Sequence, residues 1–165
     1  MFIGLCVAVF VYDILFRRVP NQLIVIALLI HAVDLIWTGS GINSIGVSQS
    51  LLGGAIGLAL FIPFYALKAM GAGDVKFFAL LGLLLGSQTL LPVWLISSLM
   101  AGVHALGVYM SRLHIIVMPG LTHLTDRVTA SDIYQRMLKK RQGRKGIPYA
   151  AYLSVAAIIT NAYQV

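Results

Sequence analysis

The feature that most constrains this chain is a series of six apolar segments separated by short polar connections. A membrane-spanning helix needs roughly 17–25 apolar residues, so several of the six are short for that role. Because the backbone must satisfy its own hydrogen bonds in lipid, such segments are expected to be helical. The sequence therefore predicts an all-α, polytopic membrane protein with about six transmembrane helices. The segments are Met1–Phe16, Gln22–Trp37, Leu51–Leu67, Asp74–Gly86, Leu90–Met110 and Ile147–Tyr163.

Composition excludes the soluble alternative. Of 165 residues, 59% are hydrophobic and 10% are charged, too few charges to cover a soluble globule of this size. The fourth and fifth segments form one apolar block, interrupted by Gly86-Ser87-Gln88 and by Pro92. One helix of that length would overshoot the membrane, so this interruption predicts a tight hairpin.

The basic residues predict the orientation of the helices. With the amino terminus outside, the inner connections are 17–21, 68–76 and 111–146, and these hold all 12 Lys and Arg residues. The outer connections, 38–50 and 87–89, hold none. Positive residues accumulate on the cytoplasmic side, so we expect an integral protein of the cell (inner) membrane.

We expect residues 1–165 to form a single membrane domain, in which 111–146 is the only sizeable polar segment. The stretch SDIYQRMLKKR within it has an apolar face and a basic face. This pattern is typical of an amphipathic helix that lies on the anionic inner leaflet, with docking of a substrate as the alternative. The expected partner of this segment is therefore the lipid bilayer, and no nucleic acid is expected.

Two aspartates are predicted to lie at one membrane depth on the same side. Asp13 precedes Arg17 by one turn at the inner end of the first helix, and Asp74 begins the fourth helix within GAGDVK. Ionisable groups in spanning segments are candidates for function. Two carboxylates at matched depth suggest either a shared proton or a shared cation.

A shared proton is the arrangement of aspartic proteolysis. One carboxylate takes a proton from water, which attacks the peptide carbonyl, while the protonated partner donates to the carbonyl oxygen. The chain has no Glu, no HExxH and no GxSxG motif, and its single cysteine, Cys6, excludes an intrachain disulfide and a CxxC zinc site. We therefore predict no metal and no cofactor.

Glycines flank Asp74 on its amino-terminal side. Gly71 and Gly73 are expected to permit backbone conformations closed to other residues and to let a substrate strand approach closely. The alternative is that GAGD is a turn in which the aspartate caps a helix.

Three separated motifs carry a family resemblance. YDILFRRVPN has the form D-x-x-x-R-x-[IV]-P-N, with Arg17, Pro20 and Asn21 in place, and GAGDVK has the form GxGDxK. GRKGIPYAAYLS, which contains Pro148, is similar to a K-x-[IM]-P-[YF]-[GA] segment. Together they resemble the type IV prepilin peptidases, the GxGD aspartic proteases of bacterial inner membranes.

The resemblance implies that Asp13 and Asp74 are the catalytic pair. It also implies that a prepilin or pseudopilin is cut at the cytoplasmic face, after a glycine that precedes the hydrophobic helix. Bifunctional members carry an amino-terminal region with paired CxxC motifs that accompanies N-methylation. This sequence begins in its first apolar helix, so it resembles the short, peptidase-only branch of Flp (tight-adherence) systems without methyltransferase activity.

The other polar residues near the pair have expected roles in shaping the site. Lys76 is expected either to act on the site by its charge or to extend to the inner phosphates. Arg17 is expected chiefly to determine topology, Pro20 to end one helix and Asn21 to cap the next.

The sequence leaves several alternatives open. The archaeal preflagellin peptidases are a close alternative to the bacterial prepilin peptidases. Presenilin-like proteases also use a YD and a GxGD, but they cut within the bilayer. From other classes, a small carboxylate-based ion or proton transporter and a non-enzymatic assembly scaffold remain.

Overall fold

The computed structural model describes residues 2–112 and 147–163, and within them the protein is entirely helical. A single turn of 3₁₀-helix at Ile42–Ser44 is the other regular element of these residues. The predicted all-α fold is confirmed. The six helices of the described residues are α1 (Phe2–Phe16), α2 (Asn21–Thr38), α3 (Val47–Ala66), α4 (Ala72–Leu85), α5 (Ser87–Arg112) and α6 (Tyr149–Ala162).

Three of these helices are long and apolar enough to cross a bilayer: α2, α3 and the Ser87–Met110 part of α5. Helices α1 and α6 are apolar but shorter. The chain is an integral membrane protein, while six spans and an outside amino terminus stay predictions. The predicted amphipathic helix lies outside the described residues.

Helices α3 and α4 lie against each other with their backbones in close contact. A Cβ added at Gly53 would lie 2.1 Å from the carbonyl oxygen of Gly82, and one added at Gly82 would lie 2.2 Å from that of Gly53. Farther along the pair, a Cβ at Gly57 would come within 3.1 Å of Ala79. Small residues at such crossings let transmembrane helices approach closely, so these glycines fix how α4 is held.

Aromatic packing continues this interface toward the start of α4. The rings of Phe61 and Phe78 are stacked with centroids 3.9 Å apart and an angle of 10° between their planes. Phe77 and Phe78 are both fully buried. Helix α4 contacts α2, α3, α5 and α6, so it forms the centre of the described bundle.

One residue, Gly86, separates α4 from α5. Its φ of 79° is a conformation that favours glycine, and α5 begins at the next residue. The predicted break between the two helices is confirmed, but the assignment of Pro92 to it was wrong. Pro92 lies in the second turn of α5, where it removes one backbone hydrogen bond without ending the helix.

A buried polar link joins three helices on the side away from the start of α4. The Nε2 atom of His31 lies 2.9 Å from the Ser50 hydroxyl, which donates to the Leu83 carbonyl at 2.6 Å. Because the Ser50 proton is used on Leu83, the imidazole is the donor to Ser50. The link therefore fastens α2 to α3 and α4.

Helix α6 packs mainly between α1 and α5. Its first turn thereby lies beside the carboxyl-terminal end of α1. This placement brings the last described helix of the chain to the first one, at the level where Asp13 occurs.

Candidate active site

A cavity of about 1010 Å³ opens where α1 ends and where α4 and α6 begin. Both Asp13 and Asp74 line it. We call this space the dyad cavity. Its lining residues are Asp13, Arg17, Arg18, Val19, Pro20, Asn21, Ala69, Met70, Gly71, Ala72, Gly73, Asp74, Lys76, Ala101, Ile147 and Tyr149.

Asp13 lies in the last turn of α1 and is 4% exposed. Its Oδ2 atom accepts a hydrogen bond of 3.0 Å from the backbone N–H of Ala151, in the first turn of α6. The guanidinium of Arg17 is close enough to interact with this carboxylate by charge. Arg17 itself takes a left-handed φ of 54° and donates its N–H to the Asp13 carbonyl at 2.9 Å, which ends α1 in a conformation that an L-residue rarely adopts.

Asp74 lies in the first turn of α4 and is partly buried. Its Oδ2 atom accepts a hydrogen bond of 3.3 Å from the backbone N–H of Gly71. The aspartate therefore caps its own helix, as the alternative interpretation of GAGD predicted. Asp74 also lies close enough to Asp13 for their charges to interact. The backbone N–H of Ala150 is within hydrogen-bonding reach of both carboxylates. Capping the helix and facing the other aspartate are therefore compatible.

The two glycines before Asp74 line the cavity, but the reasons predicted for them were wrong in part. Gly71 has φ −75° and ψ 146°, which other residues adopt readily, and Gly73 is helical. Both glycines instead leave room for other parts of the protein itself. A Cβ at Gly71 would lie 3.1 Å from the Asp74 carboxylate, and one at Gly73 would lie 3.3 Å from Cβ of Val19. The space beside Gly73 is thus occupied by the protein's own chain and not by an approaching strand.

The turn between α1 and α2 packs on the start of α4. Val19 is buried against Gly73, and Pro20, with φ −68°, is the residue that precedes α2. Asn21 makes no side-chain cap, so that prediction was wrong. Its Oδ1 atom accepts a hydrogen bond of 3.3 Å from Nζ of Lys76, because the exposed lysine extends from the first turns of α4 across to the start of α2.

Helix α6 contributes groups that the sequence reasoning missed. Pro148, a predicted site-shaping residue, is buried and precedes α6. Tyr149 lines the cavity, and the Ala150 and Ala151 amides face the aspartates as described above. Tyr149 belongs to the third motif of the sequence, GRKGIPYAAYLS, which offered a signal for it. The amide donors carry no signal in the sequence, since every residue except proline has one.

The described residues contain no group of three or more His, Cys, Asp or Glu side chains placed to hold a metal ion. Cys6 is fully buried in α1. The absence of a metal and of a cofactor stays a prediction. What the arrangement offers chemically is a pair of neighbouring carboxylates beside backbone donors at the start of a helix.

Residues 1–106 match the sequence model of the type IV leader peptidase family. The match spans α1 to α4 and most of α5, and it includes both aspartates. Searches of curated proteins and of solved structures gave no match.

Proposed function

The chain belongs to the type IV leader peptidase family, and from this premise we propose that it is an aspartic endopeptidase whose catalytic groups are Asp13 and Asp74. The observation that carries the proposal is that these two side chains, from α1 and α4, line one cavity and interact by charge. They are 61 positions apart (74 − 13), and the fold nonetheless places them together.

In the proposed reaction one carboxylate acts as a base toward a water molecule and the other acts as an acid toward the substrate. Neighbouring carboxylates do not both ionise easily, so the pair holds one proton in its working state. The ionised carboxylate removes a proton from water, and the water oxygen bonds to the peptide carbonyl carbon. The protonated carboxylate donates to the carbonyl oxygen. Collapse of the resulting tetrahedral diol breaks the C–N bond as the first carboxylate passes its proton to the leaving amine. One hydroxyl of the diol returns a proton to the second carboxylate, which forms the new carboxylic acid and restores the starting state of the pair.

The substrate follows from the family, whose members act on prepilin-type leaders. We propose that this protein cuts a prepilin or pseudopilin after the glycine that precedes its apolar helix, on the cytoplasmic side of the inner membrane. We further propose that residues 1–165 act as one membrane domain of the Flp type, without N-methylation. Because the family is one of peptidases, it favours an enzyme over a transporter or an assembly scaffold.

The proposal is tested by co-expressing the protein with candidate prepilins and following the loss of the leader by electrophoretic mobility. Asp13→Asn and Asp74→Asn should each abolish cleavage while the protein remains in the membrane. The double variant should be no worse, because members of one catalytic unit are not additive. The matched control is Asp34→Asn, since Asp34 is exposed on α2 and does not line the cavity. Substantial cleavage by either single variant would show that Asp13 and Asp74 are not the catalytic pair.

Inhibitors provide an independent test of the aspartic class. A chelator and a thiol reagent should leave cleavage unchanged, because the proposed chemistry uses neither a metal nor Cys6. Loss of activity with the chelator, restored by a divalent ion, would instead indicate a metal held by the carboxylates.

A presenilin-like mode, with cleavage inside the bilayer, is favoured by one observation. Ala101 lines the dyad cavity, yet α5 continues to Arg112, about 16 Å farther at about 1.5 Å per residue. Much of that extension is apolar, and the side chains of Val103, Leu106 and Tyr109 are more than half exposed. If lipid surrounds it, the aspartates lie well inside the hydrocarbon.

A junction-scanning series of one prepilin separates the two modes. Moving the cleavable glycine about two turns deeper into the substrate's apolar helix should stop cleavage if cutting occurs at the membrane surface. Replacing that glycine by a bulky residue should stop it as well, while membrane insertion continues. Efficient cutting at the deep junctions would establish the presenilin-like mode.

A further inference from the structure

The first turn of α6 lies beside the two aspartates and contributes backbone N–H groups, but no acidic or basic side chain, to their surroundings. Ala151 donates its N–H to Asp13 in a buried hydrogen bond of 3.0 Å that joins residues 138 positions apart. The N–H groups in the first turn of a helix have no partner within the helix. Asp13 therefore satisfies one of them from another helix, and Ala151 fixes one of the two oxygens of Asp13.

Tyr149 holds this turn against α5. Its hydroxyl lies 3.0 Å from the Ser98 hydroxyl and 3.3 Å from that of Ser97. Ser97 is fully buried and donates its own proton to the Trp94 carbonyl at 3.0 Å, so Tyr149 is the donor toward Ser97. The Tyr149 ring lies beside Phe61, with centroids 6.2 Å apart. The turn is thus held at its first residue by a specific polar anchor.

The direction of this helix matters for the chemistry. The amino terminus of a helix carries a partial positive charge and favours a nearby anion. Here the Ala150 amide lies within reach of both carboxylates. Among the described residues, Asp13 also interacts with Arg17, with Asp74 and with the Tyr152 phenol. The Ala150 and Ala151 amides therefore face the single negative charge that Asp13 and Asp74 share. Because these amides are fixed in a helix, they do not need to reorganise during the reaction.

We propose that the first turn of α6 is the positioning element of the catalytic pair, with the Ala151 amide orienting the Asp13 carboxylate and Tyr149 acting as a positioning residue through that turn. This inference rests on the proposed aspartic mechanism. The terminal torsion of an aspartate is broad, so one directed N–H selects which oxygen of Asp13 remains available to water. Preorganised donors of this kind lower the barrier of the chemical step and leave binding unaffected.

The amide is tested by replacing it with an ester. Introducing the α-hydroxy analogue of alanine at position 151 exchanges N–H for O and keeps the side chain. We expect kcat for prepilin cleavage to fall about ten- to a hundredfold, the range for losing a hydrogen bond to a charged group, with KM unchanged. The matched control is the same ester at Ala157, which is equally buried in α6 but remote from the aspartates. It weakens α6 without touching the pair and should keep kcat.

Tyr149→Phe is the second variant, which keeps the ring and removes the hydroxyl. We expect kcat to fall about three- to tenfold at constant KM, because the turn loses its anchor and keeps its amides. Its control is Tyr163→Phe, since Tyr163 is 89% exposed at the end of α6. If the ester protein at 151 does not reach the membrane, this variant alone decides the matter.

The outcomes separate this inference from the proposed function. Full kcat in the ester protein at 151, together with an inactive Asp13→Asn, would keep the catalytic pair and overturn the positioning role. A raised KM with unchanged kcat would also overturn it, because the turn would then bind substrate. An active Asp13→Asn protein would overturn the proposed function itself.

Discussion

The α3–α4 interface and the dyad cavity lie toward opposite ends of α4, and they are assembled differently. The interface is formed by consecutive helices whose glycines allow backbone contact between Gly53 and Gly82. The cavity is formed by the ends of α1, α4 and α6, and a hydrogen bond across it joins Asp13 to Ala151. One helix can thus be held firmly by local packing while its other end takes part in a site built from distant elements.

Because of this difference, mutations in the two regions are expected to change different quantities. Variants of the interface should change the amount of folded protein and leave activity per molecule intact. Variants of the cavity should do the reverse.

The largest effect is expected at the interface. Gly53→Ala places a Cβ 2.1 Å from the Gly82 carbonyl oxygen, and a backbone atom cannot move aside as a side chain can. Overpacking usually costs about 1–3 kcal/mol, and we expect at least the upper end. Thermal unfolding in detergent measures it. The control is Gly102→Ala on α5, where an added Cβ meets nothing within 4 Å. Equal stability of the two variants would show that α3 and α4 separate easily.

The next largest effect is expected in the cavity. Asp13→Glu keeps the charge but moves the carboxylate by one methylene, which breaks its register with the Ala151 amide. Misplacement by about 1 Å can lower a rate about a hundredfold, so we expect a loss of that order in kcat with normal amounts of protein. Steady-state cleavage in membranes of matched enzyme content measures it. Wild-type activity would mean that the position of Asp13 is not critical.

A smaller effect is expected at the polar link behind the interface. Ser50→Ala leaves the buried His31 imidazole and the Leu83 carbonyl without the hydroxyl that joins them, a loss of about 1–3 kcal/mol in the free energy of unfolding. Cleavage per folded molecule should be retained. Ser48→Ala, at an exposed position of the same helix, is the control. Reduced activity with unchanged stability would connect this link to the cavity.

The smallest effect is expected for Lys76→Met. Its amine is exposed and bonds to Asn21 at 3.3 Å, and such contacts contribute about 0–1 kcal/mol. We expect kcat/KM to change less than about threefold. A loss of a hundredfold would assign Lys76 to the chemistry after all.

The sequence was sufficient for the helical class and for the pairing of α1 with α4 at one cavity. Apolar length and the segregation of charge report directly on the lipid environment, and an acidic residue in such a segment stands out.

The parts that escaped prediction depend on tertiary contacts. The role of Gly73 was misjudged because its neighbour is Val19 from another connection. Asn21 was expected to cap a helix because its residue type does so in general, whereas here Lys76 reaches its oxygen. The Ala151 amide escaped because a backbone donor has no side-chain signature, and only the packing of α6 on α1 reveals its acceptor.

The hydrogen bond between Ala151 and Asp13 also has a consequence for the order in which the protein is made. Asp13 leaves the ribosome near the start of synthesis, and the donor that orients it follows 138 residues later. An enzyme that depends on this contact stays incomplete until its last described helix has been synthesised and has inserted beside α1. On the proposed mechanism, partly made chains therefore cut neighbouring proteins more slowly than chains in which α6 has inserted beside α1.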